Sequence, residues 1–228
     1  EEILNQGYGG IKIYPLQKRT IDQAAICVSK IRQTLGFNIP LMLDLACPND
    51  PNVSLKLAPL VKEFKPYWFE EPVDGEATRA LKEIKNQTGL RIVTGEKQCG
   101  INHFIETLAA DAVDIFNPDI SSVGGIIDMI KIIELSHKKN VKVSPHCWNS
   151  MSIAASAMIH LCMSFPNTEM AEFFPEYIPY TLKFCNKNFE INNGFIELDN
   201  REGLGVKIDT NLLMENTSSY KFSILDKN

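Results

Sequence analysis

Five ionisable side chains recur along the chain at nearly equal intervals: Asp44, Glu70, Glu96, Asp119 and His146. Their successive separations are 26, 26, 23 and 27 residues, and each follows a short, largely apolar segment such as "LML" or "YWF". An interval of this length is typical of one strand and one helix with their connections. A single acid at a strand end is usually a helix cap or a solvated turn. Five such residues in register instead indicate one shared site.

The first three of these residues are carboxylic acids from consecutive units. Bare carboxylates placed at one rim repel one another, and the pKa of at least one rises strongly. A hard divalent cation removes this repulsion, and Mg²⁺ takes oxygen ligands of this kind. We therefore predict that Asp44, Glu70 and Glu96 bind Mg²⁺. Adjacent residues of a strand point to opposite faces, so Glu71 is expected to point away from the metal, toward neighbouring structure.

The elements that must position these side chains alternate between strands and helices. Apolar segments such as "LML" and "IVT" are typical of strands, and "TIDQAAICVSKIRQTLG" has helical spacing and a glycine stop. Seven strands and six helices are predicted in this way, and the last strand is "NTEMAEFF". The order implies parallel strands joined by right-handed crossovers.

We therefore predict an α/β fold of the TIM-barrel type, whose active site lies at the C-terminal ends of the strands. No Gly-x-Gly-x-x-Gly follows a strand, which disfavours a dinucleotide-binding sheet. Seven strands is one short of a complete barrel. From about residue 176 the sequence becomes polar and irregular. We predict a barrel domain over 1–175 and a C-terminal segment over 176–228 that packs back on it.

Composition narrows the classes of partner. The 228 residues carry a net charge of −5, which argues against nucleic-acid binding because that binding relies on clustered Lys and Arg. No apolar run is long enough to cross a bilayer and no signal peptide is visible, so we expect no membrane partner. The six cysteines form no C-x-x-C pair, which disfavours a zinc site and favours free thiols in the cytoplasm.

Several motifs occur together: "GYGGIKIYP", "LMLDLA", "FEEP", "VTGE", "DIFNPDISSVGG", "VSPHC", "MAEF" and "REGLGVKID". With them the sequence resembles the enolase superfamily, in its mandelate racemase/muconate lactonizing enzyme branch. The resemblance implies a modified (β/α)7β barrel with a separate α+β capping domain. It also implies that this barrel is truncated at its N-terminal end, with the capping domain and first strand missing. A barrel open at that edge is expected to behave poorly in isolation.

The resemblance also implies roles for individual residues. Asp44, Glu70 and Glu96 would be the Mg²⁺ ligands, in agreement with the prediction from their spacing. His146 would be the catalytic base and Asp119 its partner. An Asp partner holds one imidazole tautomer and raises the basicity of the ring.

Two more residues carried over from the resemblance concern the substrate. Lys12 matches the first lysine of a Lys-x-Lys motif and would contact the substrate carboxylate. Glu172 in "MAEF" would donate to, or hydrogen-bond with, the same carboxylate. Two positions depart from the family pattern, because Tyr14 replaces the second lysine and Ala46 stands where many members have Asn.

Without the second lysine, a one-base mechanism fits better than racemisation, which needs an acid or base on each face of the carbon. We predict a Mg²⁺-dependent lyase in which His146 removes the proton α to a carboxylate and Mg²⁺ stabilises the enediolate. Loss of the β-hydroxyl then gives a 2-keto-3-deoxy acid. The segment "LDLACPNDPNVSLKLA" resembles the rhamnonate-dehydratase-like enzymes. The expected partner is therefore a sugar acid (an aldonate), and the family implies a homo-oligomer.

Two alternatives stay open at this point. A racemase or epimerase of a 2-hydroxy acid would use Tyr14 or another group as its second base. A non-catalytic barrel would serve as a binding module, or the truncated barrel would be inactive. The presence of all three predicted ligands and of the His–Asp pair weighs against the second alternative.

Overall fold

The structure is a computed structural model that describes residues 2–147 and 153–216. The helices are α1 (Glu2–Asn5), α2 (Ile21–Leu35), α3 (Pro51–Val61), α4 (Thr78–Thr88), α5 (Asn102–Ala109), α6 (Gly125–Lys138), α7 (Ile153–Ser164), α8 (Ile178–Thr181) and α9 (Thr210–Glu215). The strands are β1 (Ile11–Ile13), β2 (Leu41–Asp44), β3 (Trp68–Glu70), β4 (Ile92–Thr94), β5 (Ile115–Phe116), β6 (Lys142–Val143), β7 (Phe189–Asn192) and β8 (Phe195–Leu198).

Strands β1 to β6 form one sheet in which each strand pairs in parallel with the next along the chain. A helix connects each strand of this sheet to its successor. The predicted α/β fold with parallel strands and helical crossovers is confirmed. A six-stranded parallel sheet of this order is consistent with the wall of a TIM-type barrel.

Strands β2 to β5 are buried on both faces, which explains their nearly continuous apolar sequences. Leu43 of β2 packs in a core with residues of α2 and α3. Met42, Trp68, Val93 and Ile115 come from four neighbouring strands and pack together on the opposite face. The sheet therefore has an outer face covered by helices and an inner face with its own small core.

One buried cation joins parts of the outer layer. Arg32 of α2 is only 2% exposed. Its guanidinium donates hydrogen bonds of 2.7–3.2 Å to the backbone carbonyls of Phe64, Gly36, Ile39 and Lys65. The planar fork thus satisfies carbonyls at the end of α2 and in the segment that leads into β3, far from the C-terminal ends of the strands.

The predicted seventh strand, "NTEMAEFF", is wrong for the described residues. Thr168 forms an isolated parallel bridge with Val143, and backbone hydrogen bonds join Val143 to Asn167 and Glu169. Strand β6 is itself only two residues long, so it offers too short an edge for a regular pairing. One of the six helices predicted from the sequence is "SMSIAASAMIHLCMSF", and its first residues lie outside the described part of the chain.

The C-terminal segment is more regular than its sequence suggested. Strands β7 and β8 form an antiparallel hairpin around Asn193 and Gly194, both of which have positive φ. This Asn-Gly pair is a strong hairpin signal, although the hairpin was not predicted from the sequence. Gly194 N donates to Gly7 O at 2.7 Å, and Asn188 Nδ2 donates to Ser156 Oγ of α7 at 2.8 Å. The division between residues 175 and 176 stays a prediction.

Within the described residues, no helix combines the length and apolar character that crossing a membrane requires.

Candidate active site

Three of the predicted acids meet at the C-terminal ends of β2, β3 and β4. Asp44 and Glu70 lie two residues beyond Met42 and Trp68, so strand alternation turns them toward the inner face. They are also register partners in adjacent strands. One carboxylate oxygen from each of Asp44, Glu70 and Glu96 lies within 4.8 Å of the other two. The spacing in sequence thus becomes a cluster in space.

Glu96 reaches this cluster because Gly95 interrupts the alternation of β4. Val93 faces the inner core, so a regular strand would turn residue 95 inward instead of residue 96. Gly95 has a φ of 139°, and an added Cβ would lie 3.1 Å from a ring carbon of Phe104 and 3.3 Å from the backbone N of Asn117. Backbone conformation and close packing therefore both favour glycine here.

Glu70 is fully buried and both of its oxygens accept hydrogen bonds. Oε1 accepts from Lys12 Nζ at 2.7 Å and from Asn117 Nδ2 at 2.8 Å. Oε2 accepts from Trp68 Nε1 at 2.8 Å. These bonds fix the carboxylate in one orientation. Asn117 and Trp68 were not predicted as partners of Glu70, although Asn117 follows β5 at the same level as the acids.

Lys12 lies among the acids rather than at their edge. Its Nζ is 2.6 Å from Glu172 Oε1, 2.7 Å from Glu70 Oε1 and 3.6 Å from Asp44 Oδ2. Burial lowers the pKa of Lys12, but attraction to these carboxylates outweighs burial and raises the pKa well above its usual value. The structure therefore places a charged ammonium between Asp44 and Glu70 of the acid cluster and the predicted substrate residue Glu172.

Burial raises the pKa of all three clustered acids. For Glu70 it outweighs the opposing charge of Lys12 and raises the pKa to about 8. For Asp44, burial outweighs Lys12 and the hydrogen bond from the Ala46 N–H. For Glu96, burial outweighs the charge of His146. Burial thus favours the protonated form of each acid when no metal is bound.

His146 and Asp119 form a hydrogen-bonded pair beside the cluster. His146 Nδ1 lies 2.9 Å from Asp119 Oδ2, and Nε2 lies 3.4 Å from Glu96 Oε2 and 3.9 Å from Glu172 Oε2. Burial lowers the pKa of His146, but the Asp119 hydrogen bond and the nearby glutamates raise it more, so the net pKa is raised. The imidazole therefore has one nitrogen on Asp119 and the other directed toward the acids.

The acid cluster suits a hard divalent cation. Its donors are all carboxylate oxygens, and their separations of up to 4.8 Å are only slightly wider than the ~4.2 Å that spans a Mg²⁺ ion. Glu96 Oε2 is buried and has no hydrogen-bond partner among the described residues. A buried carboxylate oxygen without a donor is expensive unless a cation binds it.

Comparison with known families agrees with this geometry. Residues 1–212 match the model of the family described as enolase C-terminal domain-like. The chain belongs to this family.

Among the relatives of this enolase C-terminal domain-like chain are curated dehydratases. The D-galactonate dehydratase of Verminephrobacter eiseniae is 30% identical over 209 residues, which cover 86% of this chain and 53% of that protein. The L-talarate/galactarate dehydratase of Salmonella typhimurium is 27% identical over 199 residues, which cover 87% of this chain and 47% of that protein. The chain thus spans about half the length of these relatives.

A solved structure supports the fold assignment. A protein described as an enolase from the environmental genome shotgun sequencing of the Sargasso Sea is 45% identical to this chain. It superposes with a TM-score of 0.92 over 96% of this chain and 58% of its own. Similarity at this level places the barrel elements of the two proteins in the same arrangement.

Glu71 points away from the acid cluster, as strand alternation predicted. Its side chain is fully buried on the side of β3 opposite to Glu70. Its Oε1 accepts from Thr94 Oγ1 at 2.7 Å and Gly95 N at 3.3 Å. Its Oε2 accepts from the Cys47 thiol and lies 3.5 Å from Lys97 Nζ. A φ of 43° puts Glu71 in the left-handed region, which costs roughly 1–3 kcal/mol for a residue other than glycine.

The Cys47 thiol in this group is a hydrogen-bond donor rather than a nucleophile. Burial, followed by the charge of Glu71, raises the pKa of Cys47 to about 12. The thiol therefore stays protonated at neutral pH, where only the thiolate is reactive. Cys47, Thr94 and Lys97 were not predicted as site residues, since none of them falls in the repeated spacing of the strand-end acids.

Proposed function

We propose that this chain carries the metal-binding and proton-transfer residues of a sugar-acid dehydratase. One observation carries the proposal: His146 Nε2 faces the acid cluster at 3.4 Å from Glu96, while Nδ1 is held by Asp119. A base beside a site for a divalent cation is the combination that removal of a proton α to a carboxylate requires. The names of the curated relatives support the substrate class.

Asp44, Glu70 and Glu96 would hold Mg²⁺, which when bound supplies positive charge against the negative charge that develops on the substrate carboxylate. Lys12 would bind the same carboxylate, since its ammonium is charged and lies within the site. Glu172 orients this lysine through a 2.6 Å ion pair. The substrate carboxylate is thereby fixed with its α-carbon beside the imidazole.

His146 acts as the general base. Asp119 accepts a hydrogen bond from Nδ1, so Nε2 is the nitrogen that takes the α-proton. Asp119 then stabilises the imidazolium that results. The imidazolium is then the acid that protonates the departing β-hydroxyl, so that water leaves and an enol forms. The enol becomes a 2-keto-3-deoxy acid when its hydroxyl loses a proton and its C3 gains one. A general base such as His146 typically contributes about 10²–10⁴-fold to the rate.

Racemisation is disfavoured by Tyr14, the residue in place of the second lysine. Burial raises the pKa of the Tyr14 phenol, although Lys12 opposes this. The phenol therefore stays protonated at neutral pH and does not serve as a base on the second face of the carbon. We infer a one-base elimination from this, with an aldonate or related sugar acid as substrate.

A substrate screen tests the proposal. The protein is incubated with a library of mono- and diacid sugars and Mg²⁺, and keto-acid products are detected with semicarbazide. We expect keto acid from at least one member, with no product in EDTA. In deuterated water, exchange of the α-proton into both stereoisomers without loss of water would instead indicate a racemase. No reaction and no exchange with any member would contradict the proposal.

A further inference from the structure

Glu71 contacts the chain on both sides of the acid cluster. Toward β2, its carbonyl accepts from Cys47 N at 3.0 Å and its carboxylate accepts from the Cys47 thiol. Toward β4, its backbone N donates to Val93 O at 2.9 Å, and its carboxylate binds Thr94, Gly95 and Lys97. One side chain thus joins the segments that follow Asp44 and surround Glu96.

These contacts are maintained against two unfavourable features. The carboxylate is fully buried, where a charge is stable only if it is paired and hydrogen-bonded. The backbone also has a positive φ, which is unfavourable for glutamate. Neither feature is needed to build the parallel sheet, because strands β2, β3 and β4 are already paired by their backbones.

We propose that Glu71 is a positioning residue that sets the relative placement of Asp44, Glu70 and Glu96, so that the three acids present ligand atoms to one divalent cation. The inference rests on the metal site of the proposed function. In this role Glu71 fixes the ends of the strands that carry the three acids. Glu71 is not itself a ligand of the metal or the substrate. The donors from Cys47 and Thr94 act through Glu71.

A Mn²⁺ binding experiment tests the positioning role of Glu71 without any substrate. Binding is monitored by the electron paramagnetic resonance signal of the free ion. Glu71→Gln keeps the size of the side chain but replaces one carboxylate oxygen by an amide NH₂ group. A single acceptor oxygen is then left for donors that bind two oxygens in the wild type. We expect the Mn²⁺ dissociation constant to rise about 10- to 100-fold, as for other residues that orient metal ligands. The folded fraction is checked by circular dichroism.

A matched pair of variants keeps the test valid if Glu71→Gln does not fold. Thr94→Val removes the hydroxyl that donates to Glu71 and should weaken Mn²⁺ binding, whereas Thr94→Ser retains the hydroxyl and should bind Mn²⁺ as the wild type does. Arg32→Met is the remote control. It removes a buried charge from the outer layer and should lower the melting temperature without changing the Mn²⁺ dissociation constant.

Each outcome of the Mn²⁺ binding experiment either supports or contradicts the positioning role of Glu71. If Thr94→Val and folded Glu71→Gln bind Mn²⁺ like the wild type, or if Arg32→Met weakens binding equally, Glu71 has only a structural role and the inference is wrong. If the wild type binds no Mn²⁺, the metal site and this inference both fail. If the wild type binds Mn²⁺ but dehydrates no sugar acid, the proposed reaction fails and the positioning role is still decided by the variants.

Discussion

Lys12 Nζ lies 2.7 Å from Glu70 Oε1, so a lysine from β1 neutralises a fully buried acid from β3. The same nitrogen is 3.6 Å from Asp44 Oδ2. The positive charge of Lys12 therefore lies close to the carboxylates that a divalent cation would also bind. Like charges in a partly buried site repel each other strongly. Lys12 opposes binding of the metal while favouring binding of an anionic substrate.

Replacement of Lys12 by Met should separate these two effects. At a pH well above 8, where Glu70 loses its proton, we expect the variant to bind Mn²⁺ about tenfold more tightly, because the repulsion is gone. The Michaelis constant for a sugar acid should rise, since the carboxylate loses its cation. Isothermal titration and steady-state kinetics measure both quantities. Weaker Mn²⁺ binding in this variant would show that Lys12 holds the acids together more than it opposes the metal.

Substitution of Glu96 by Gln should abolish metal binding and leave the fold. Glu96 supplies a buried oxygen without a hydrogen-bond donor, so loss of its charge should weaken Mg²⁺ binding by more than about 100-fold. The increase in melting temperature that Mg²⁺ gives the wild type should disappear. Glu106→Gln, at an exposed position on α5, is the matched control and should keep that increase. Activity of Glu96→Gln in EDTA would contradict the metal role.

Metal affinity should rise with pH. Burial raises the pKa of Glu70 to about 8, and Mg²⁺ binds the deprotonated acid, so protons compete with the metal below that pH. For one competing proton, the apparent affinity falls about tenfold per pH unit below the pKa. Titration calorimetry in buffers of different ionisation enthalpy should detect proton release on binding at pH 7. No release there would contradict the raised pKa.

The stability of the metal-free protein should fall as the pH rises, whereas the metal affinity rises. The pKa of Glu70 is raised above the usual 4.5 and that of His146 above the usual 6.5, so the folded state binds more protons than the unfolded state. Stability contributed by these groups is present below the unfolded pKa and is lost as pH rises through the folded pKa. Between pH 6 and pH 8, the melting temperature in EDTA should therefore fall, and Mg²⁺ should restore more of it at the higher pH.

Most of the site could be predicted because strand geometry is periodic. Parallel strands joined by helices bring their C-terminal ends to one rim, so residues one unit apart in sequence become neighbours there. Asp44 and Glu70 follow directly from this rule, because they continue the inner face of their strands. The alternation also placed Glu71 on the opposite side of its strand.

The remaining contacts depend on features that have no period. Glu96 reaches the site through the irregular backbone of Gly95, and Lys12 reaches it by the length of its side chain. The partners of Glu71 come from the last residue of β4 and from the loops after β2 and β4, and this thiol, hydroxyl and ammonium have no recognisable spacing in the sequence. The last predicted strand fails because pairing depends on the neighbouring edge, and β6 is short.

Substitution of His146 by Asn should stop proton transfer without removing the metal site. Asparagine retains a polar group of similar reach but takes no proton, so exchange of the α-proton of a sugar acid should fall by about 10²–10⁴-fold. Exchange is followed by nuclear magnetic resonance in deuterated water, with an acid that the wild type dehydrates. Mn²⁺ binding should persist, because His146 lies beside the three acids and supplies none of their proposed ligand oxygens.

A second histidine provides the control for this experiment. His160 lies on α7 and its Nδ1 is 2.8 Å from the carbonyl of Ser156, away from the acid cluster. His160→Asn should therefore exchange the α-proton at the wild-type rate. If His146→Asn also exchanges at that rate, the base lies elsewhere, and the pairing of His146 with Asp119 serves only to stabilise the rim. If both rates fall together, loss of folding rather than loss of a base explains the result.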